Sequence, residues 1–229
     1  MNKRLFRNGW TTPGIKPAVF GLCLVPLLWL VWDGVSGNLG ANPIETAVRR
    51  TGVWALNFLL ISLAVTPARR LPGCSRLILF RRMLGLFAFF YGCLHLMMYV
   101  GVDQFFAVED IVKDVIKRPF ITVGMASFVL LIPLAVTSTN RMIARLGGAR
   151  WRRLHRLVYL IGIGGVLHYF WLVKADIRSP LIYAGLLVAL LGARMYLAYG
   201  SRGLSPSRPA PRGRSGMLDP RSAAEPLSP

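Results

Sequence analysis

Long uncharged apolar stretches alternate with short charged segments along most of the chain. An apolar run of roughly 20 residues is long enough to cross a bilayer as a helix, and we interpret six runs as membrane spans. The first and last are short by that criterion, and the last extends to Tyr199 if the Arg194 side chain snorkels to the interface. The predicted spans are residues 17–32, 51–68, 83–102, 119–140, 157–173 and 179–193.

This pattern predicts an all-α, polytopic bundle of six transmembrane helices with a segment on either side. Residues 1–17 form a basic N-terminus, residues 18–199 the membrane domain, and residues 200–229 a tail rich in proline, serine and arginine. A tail of that composition cannot bury enough surface to fold, so we predict that it is disordered. The first span resembles a signal peptide, but no clear small-x-small cleavage site follows it, and we interpret it as uncleaved.

Composition supports a bilayer protein. Charged residues make up 16% of the chain, against roughly a quarter in soluble domains. The net charge of +19 would suit a nucleic-acid partner, but the basic residues lie at the ends of apolar runs, where they set topology. We therefore exclude nucleic acid and expect membrane lipid as the surroundings. The three cysteines, Cys23, Cys74 and Cys93, form no C-x-x-C pair and are interpreted as small apolar residues.

The charges are distributed unequally between the two sides of the predicted bundle. The N-terminal segment and the loops after the second and fourth spans carry basic residues and no acid. All seven acids outside the tail fall in the other three connections. Because basic loops stay on the cytoplasmic side, both termini are predicted to be cytoplasmic. An even number of spans, which puts both termini on one side, agrees with this.

All three histidines lie within or beside predicted spans. An ionisable group in a bilayer is costly and suggests a functional site, although a histidine bonded to a main-chain carbonyl is the ordinary alternative. At 1.5 Å per residue, His95 and His168 lie roughly 18 and 16 Å from the cytoplasmic ends of the third and fifth spans. A haem iron with two axial imidazoles requires one ring from each side at one depth. We therefore predict that His95 and His168 are haem-iron ligands.

His155 lies about 20 Å closer to the cytoplasm than His168. The corresponding level of the third span holds Arg82, which cannot ligate iron. The aromatic and basic rim around His155 either holds a second haem with a non-histidine ligand, or holds an anionic group such as a flavin phosphate, or is only an interfacial rim. Its residues include Trp151, Arg152, Arg153, Arg156 and Tyr159.

Several motifs in a specific order carry a family resemblance. They are RRMLGLFAFFYGCLHL at 81–96, RPFITVG at 118–124, AVTST at 135–139, WRRLHRLVYL at 151–160, HYFWLVK at 168–174 and PLIYAGL at 180–186. In this order and spacing, the chain from about residue 24 to residue 194 resembles the MsrQ (formerly YedZ) family. That family belongs to the wider ferric-reductase-like transmembrane superfamily. The tail lies outside the resemblance.

The resemblance implies a function. MsrQ proteins are haem-binding subunits of the bacterial periplasmic protein-methionine-sulfoxide reductase system and lie in the inner membrane. They bind haem b through histidines that match His95, His155 and His168, and they are also described with FMN. They take electrons from the quinone pool or a cytoplasmic flavin reductase and pass them to MsrP, a periplasmic molybdopterin enzyme. The missing inner partner on the third span leaves either one haem or two.

Two other functions compete with this one. A self-contained transmembrane ferric or metal reductase, with the same histidines, would reduce a metal at its outer face. A transporter or channel would use them to relay protons, but it predicts acids within the spans and discontinuous half-helices, and the sequence shows neither. We identify no catalytic site, and no G-x-G-x-x-G nucleotide motif is present in a soluble domain. Reductant is therefore expected from a partner protein or from quinone.

Overall fold

The computed structural model describes residues 14–173 and 176–200, and within them every regular element is helical. Most of the predicted N-terminal segment and nearly all of the predicted tail lie outside the described residues. A 3₁₀ turn, Ser75–Leu79, precedes the third helix, and a π-helical turn, Met98–Asp103, extends it. The helices are α1 (Ile15–Val35), α2 (Pro43–Ala68), α3 (Arg81–Met97), α4 (Val108–Lys117), α5 (Pro119–Val136), α6 (Asn140–Leu146), α7 (Gly148–Leu154), α8 (Leu157–Leu172) and α9 (Arg178–Gly200).

Five of these helices are long and apolar enough to cross a membrane: α1, α2, α3 with its π-helical extension, α5 and α9. The prediction of an all-helical, multi-pass membrane protein is therefore confirmed. Helix α8 has 16 residues, which corresponds to about 24 Å and is shorter than the roughly 30 Å hydrocarbon core. It contains no Asp, Glu, Lys or Arg, and it packs against α5. The sixth span stays a prediction.

Local signals explain where α2 and α5 begin. The Asn42 side chain accepts a hydrogen bond from the main-chain N–H of Glu45 at 3.2 Å, and Pro43 is the first helical residue. Such a cap and an N-terminal proline favour a helix start. Helix α2 therefore begins eight residues before the predicted apolar span 51–68. Pro119 likewise begins α5, as the sequence indicated.

Helix α4 lies in a connection where no helix was predicted. Glu109 and Asp110 occupy its first turn, where acidic side chains favour the positive end of the helix dipole. Its charged residues and its apolar residues separate onto different faces, so the helix is amphipathic. The exposed apolar side chains, one per turn, are Val108, Val112 and Ile116.

Two helix pairs form the frame of the bundle: α2 packs along α3, and α5 packs along α8. Helix α9 contacts α2 and α8, and α1 contacts α2 and α3. The buried Tyr91 side chain connects α3 to α1, because its hydroxyl donates to the Cys23 carbonyl at 2.9 Å and accepts from the Leu27 N–H at 3.1 Å. The apolar core around Tyr91 includes Leu60, Leu63 and Ala88.

The described charges separate between the two ends of the bundle. We call the end that carries Asp33, Glu45, Asp103, Asp176 and α4 the acidic end, and it holds every described acid. We call the opposite end, where α2 and α5 end and α3 and α8 begin, the arginine-rich end. At the acidic end, Arg50 forms an ion pair with the largely buried Asp33. The folded bundle thus keeps the charge asymmetry of the sequence.

Arg194 lies inside α9 with only 9% of its surface exposed. Its guanidinium donates to the Leu63 carbonyl through Nε at 3.1 Å and Nη2 at 2.6 Å, and to the hydroxyls of Thr66 and Tyr159. The Leu63 carbonyl needs these donors because Pro67, four residues later, has no N–H. The last helix does extend through Tyr199 as predicted, but the condition that Arg194 snorkels to the interface is wrong: the side chain satisfies a carbonyl inside the bundle.

Candidate functional site

Two imidazoles face each other between the two helix pairs. His95 projects from α3 and His168 from α8, with ring centroids 6.1 Å apart and ring planes at 76°. Because the structure brings these rings together, the matched depths deduced from the sequence correspond to a real juxtaposition. Their role as ligands stays a prediction.

Each ring is held by the other helix of its own pair. His95 Nδ1 lies 2.9 Å from the Val48 carbonyl oxygen on α2, and His168 Nδ1 lies 2.6 Å from the Phe120 carbonyl oxygen on α5. A carbonyl only accepts, so Nδ1 carries the proton in each neutral ring, and the Nε2 lone pair is left for another partner. A histidine that ligates a metal ordinarily has its other nitrogen bonded in this way.

Glycines on α2 and α5 make room for these rings. A Cβ atom at Gly52 would lie 3.0 Å from His95 Nδ1, and one at Gly124 would lie 2.6 Å from His168 Nδ1. In both helix pairs the glycine follows the accepting carbonyl by one turn. At Gly124 in particular, any side chain would displace the ring. These two glycines were not predicted from the sequence, because only helix pairing shows which glycine faces which histidine.

A cavity of about 430 Å³ lies between the helix pairs and reaches the acidic end. Cofactor sites commonly occupy roughly 300–1,000 Å³ and are mostly apolar. Gly92 on α3 and Gly165 on α8 contribute to its wall along with both histidines, and most of the other lining residues are apolar. Polar side chains gather toward the acidic end: Glu45, Arg49, Tyr99, Asp103 and Arg118.

His155 occupies the corner between α7 and α8 at the arginine-rich end. Its ring stacks on Trp151 with centroids 3.9 Å apart, and its Nδ1 lies 3.1 Å from the Trp151 carbonyl oxygen. The Nε2 atom lies 3.4 Å from the Ser138 hydroxyl. Burial lowers the pKa of His155, against the opposing effect of its hydrogen bond with the Trp151 carbonyl. Burial therefore favours the neutral imidazole.

A second cavity of about 280 Å³ lies beside His155. The predicted rim residues Arg152, Arg153 and Arg156 are exposed and are not among its lining residues. Arginines from the start of α3 line it instead, at the level where the sequence indicated only that Arg82 cannot ligate iron. Its polar and aromatic lining consists of Ser62, Arg81, Arg82, Ser138, Trp151 and His155.

Comparison with known proteins identifies the family. Residues 51–166 match the ferric reductase like transmembrane component family. The chain is 54% identical over 195 residues to the protein-methionine-sulfoxide reductase heme-binding subunit MsrQ of Caulobacter vibrioides, covering 83% of this chain and 92% of that protein. The MsrQ proteins of Rhodospirillum rubrum (56% over 192 residues, 83% and 92% covered) and Herminiimonas arsenicoxydans (52% over 190 residues, 82% and 87% covered) are similar.

The chain belongs to the MsrQ family. The family resemblance carried by the sequence motifs is thereby confirmed. The segment matched to the ferric-reductase-like family contains His95 and His155, and His168 follows two residues beyond its end.

We expect Gly124→Ala to push the His168 ring away from the Phe120 carbonyl. Overpacking of this kind lowers the free energy of unfolding by about 1–3 kcal/mol. Thermal unfolding of the purified protein in detergent measures the loss. Gly185→Ala is the matched control, because a Cβ atom at this helical glycine on α9 meets nothing within 4 Å. Equal melting temperatures for the two variants would contradict the close contact at Gly124.

Proposed function

We propose that this MsrQ-family protein binds haem b between His95 and His168 and carries electrons across the bacterial inner membrane. The observation that supports this most directly is the pair of facing imidazoles, each held through Nδ1 in an apolar cavity. Its relatives are named as heme-binding subunits of a protein-methionine-sulfoxide reductase. Haem, when bound, supplies a one-electron iron couple.

The donor set suits a haem iron. The porphyrin provides four iron ligands, so two protein imidazoles complete the coordination. With ring centroids 6.1 Å apart, His95 and His168 would hold the haem iron between α3 and α8, and the bound iron would supply the one-electron couple. The carbonyl bonds of His95 and His168 orient the rings, and most of the surrounding wall is apolar.

We propose that electrons enter at the arginine-rich end, in the cavity beside His155. This cavity holds a second haem or forms part of a flavin or quinone site. The neutral His155 ring suits ligation, while Arg81 and Arg82 suit an anionic group such as a haem propionate or the phosphate of FMN. Arg152, Arg153 and Arg156, which are exposed nearby, stay predicted partners for the same anion.

The partners follow from family membership. We propose that the quinone pool or a cytoplasmic flavin reductase supplies electrons, and that MsrP, a periplasmic molybdopterin enzyme, receives them to repair oxidised methionines in periplasmic proteins. In this role the chain is an electron-transfer subunit, and the reduction of methionine sulfoxide occurs on its partner.

A self-contained ferric reductase is the second candidate. Two observations favour it: the family model that the chain matches, and a histidine cavity that reaches polar side chains at the acidic end. The candidates differ in the oxidant. Reoxidation of the reduced haem by methionine sulfoxide, only when the periplasmic partner is present, supports the subunit; reoxidation by a ferric chelate alone supports the reductase.

We further propose that α8 is the sixth span and that both termini are cytoplasmic. Helix α8 packs against the membrane-spanning α5 and begins at the arginine-rich end. Basic residues favour the cytoplasmic side, so the arginine-rich end faces the cytoplasm and the acidic end faces the periplasm.

Replacing His95 or His168 by alanine should abolish the low-spin b-type spectrum of the haem near the acidic end, because one axial bond is lost and water enters the pocket. Absorption spectra and haem content of the purified variants provide the measurement. His155→Ala is the control, and the haem near the acidic end should remain bound in it. A full, unshifted Soret band in both alanine variants would overturn the assignment.

His155→Ala should slow reduction by the physiological donor, because the proposed entry site loses its only histidine. Dithionite should still reduce the other haem, since that site is intact. Stopped-flow reduction with each reductant separates these effects. Donor kinetics and cofactor content equal to those of the unmodified protein would make His155 a structural interface residue.

Reporter fusions made after Asp103 and after Pro229 should report opposite compartments, periplasmic for the first and cytoplasmic for the second. The reason is the charge asymmetry between the two ends of the bundle. Alkaline phosphatase and green fluorescent protein fusions at each site provide complementary signals. If the two sites lie on the same side, the six-span topology is wrong.

A further inference from the structure

Two arginines line the histidine cavity from opposite helix pairs. Arg49 lies on α2 and Arg118 immediately before α5. Arg49 directly follows Val48, whose carbonyl holds His95, and Arg118 lies two residues before Phe120, whose carbonyl holds His168. Each arginine therefore lies within two residues of the main-chain carbonyl that orients one of the two imidazoles.

The arginines are positioned by acidic neighbours but keep donors free. Arg49 Nη2 lies 2.8 Å from Glu45 Oε1, and Arg118 Nε lies 3.2 Å from Asp114 Oδ1. A guanidinium has five N–H donors, and the remaining ones have no hydrogen-bond partner among the described residues. With 53% and 56% of their side chains exposed, both lie at the open edge of the cavity.

The other polar side chains along this edge, Tyr99 and Asp103, form hydrogen bonds with residues other than the two arginines. The Tyr99 hydroxyl donates to Asp114 at 3.3 Å, and Asp103 accepts from Gln104 at 3.0 Å. The edge therefore offers two guanidinium forks, each paired with one carboxylate but with N–H donors left over. A ligand that fits has a flat apolar body for the interior and two carboxylates along one edge, since guanidinium forks bind carboxylates in a bidentate manner.

We propose that Arg49 and Arg118 bind the two propionate carboxylates of the haem, one from each helix pair. This assignment rests on the proposed function, because it concerns the same cavity. It orients the carboxylate edge of the haem toward the acidic end. The pair of positive charges stabilises the more negative ferrous state relative to the ferric state, so the arginines raise the midpoint potential.

The first test measures this potential. Full-length Arg49→Gln and Arg118→Gln proteins in lipid nanodiscs are titrated by spectroelectrochemistry. In each variant the ferric–ferrous equilibrium should shift toward ferric haem by up to tenfold, which is about 59 mV for one electron. Lys113→Gln is the matched control, because it removes one positive charge at the acidic end from an exposed side chain outside the cavity lining. Potentials equal to that of the control would overturn the proposal.

The second test changes the ligand instead of the protein. Protein produced without haem is reconstituted with haem or with its dimethyl ester, in which both carboxylates are neutral. The unmodified protein and Lys113→Gln should bind haem at least tenfold more tightly than the ester, and the Arg49→Gln/Arg118→Gln protein should lose this preference. A preference that persists in the double variant overturns the arginine assignment.

These outcomes separate the assignment from the function on which it rests. If neither haem nor its ester gives a spectrum that depends on His95 and His168, the proposed haem site itself fails. If the histidine-dependent spectrum is present but the arginine variants keep the unmodified potential and ester preference, the haem site stands and the propionate assignment fails.

Discussion

The hydrogen bonds from two imidazole Nδ1 atoms to main-chain carbonyls on neighbouring helices are the contacts on which the site depends. His95 reaches the Val48 carbonyl, and His168 reaches that of Phe120. Inside a bilayer a polar ring nitrogen without a partner is costly. Each bond therefore fixes the orientation and the tautomer of its imidazole, and it also links the two helices of the pair. Each bond leaves the Nε2 lone pair of its ring available, and the glycines one turn later let the rings lie against the helix backbone.

These contacts hold α2 against α3 and α5 against α8. Other side chains then join further helices to these pairs by bonding main-chain groups that lack a helical partner or lie on a neighbouring helix. Arg194 bonds the Leu63 carbonyl that Pro67 leaves without a helical donor, and so ties α9 to α2. Tyr91 bonds a carbonyl and an N–H of α1 and so ties α1 to α3. A helix bundle in lipid gains little from hydrophobic association between its helices. Specific polar contacts of this kind therefore select one arrangement among many that would bury similar apolar surface.

The same arrangement creates one cavity toward each end, with different chemistry. The larger cavity combines two neutral imidazoles with apolar walls and mixed charge at the acidic end. The smaller one combines a single histidine, a tryptophan and two arginines. A single helical domain therefore holds two chemically different cavities, with Leu59 and Leu131 contributing to the lining of both.

Much of this protein can be predicted from its sequence, since the deciding features are local. Apolar run length identified six runs that the structure shows as helices, five of them long and apolar enough to cross a membrane. The fixed rise per residue placed His95 and His168 at one depth without knowledge of packing. Helix rotation and pairing are not local. Helix rotation and pairing decided that Gly52 and Gly124 face the histidines and that Arg194 turns inward. They also decided which arginines line the smaller cavity beside His155: Arg81 and Arg82, and not Arg152, Arg153 or Arg156. In an apolar span nearly every face can meet lipid or protein, so periodicity gives little indication of which side is buried. Only the tertiary contacts settle that choice.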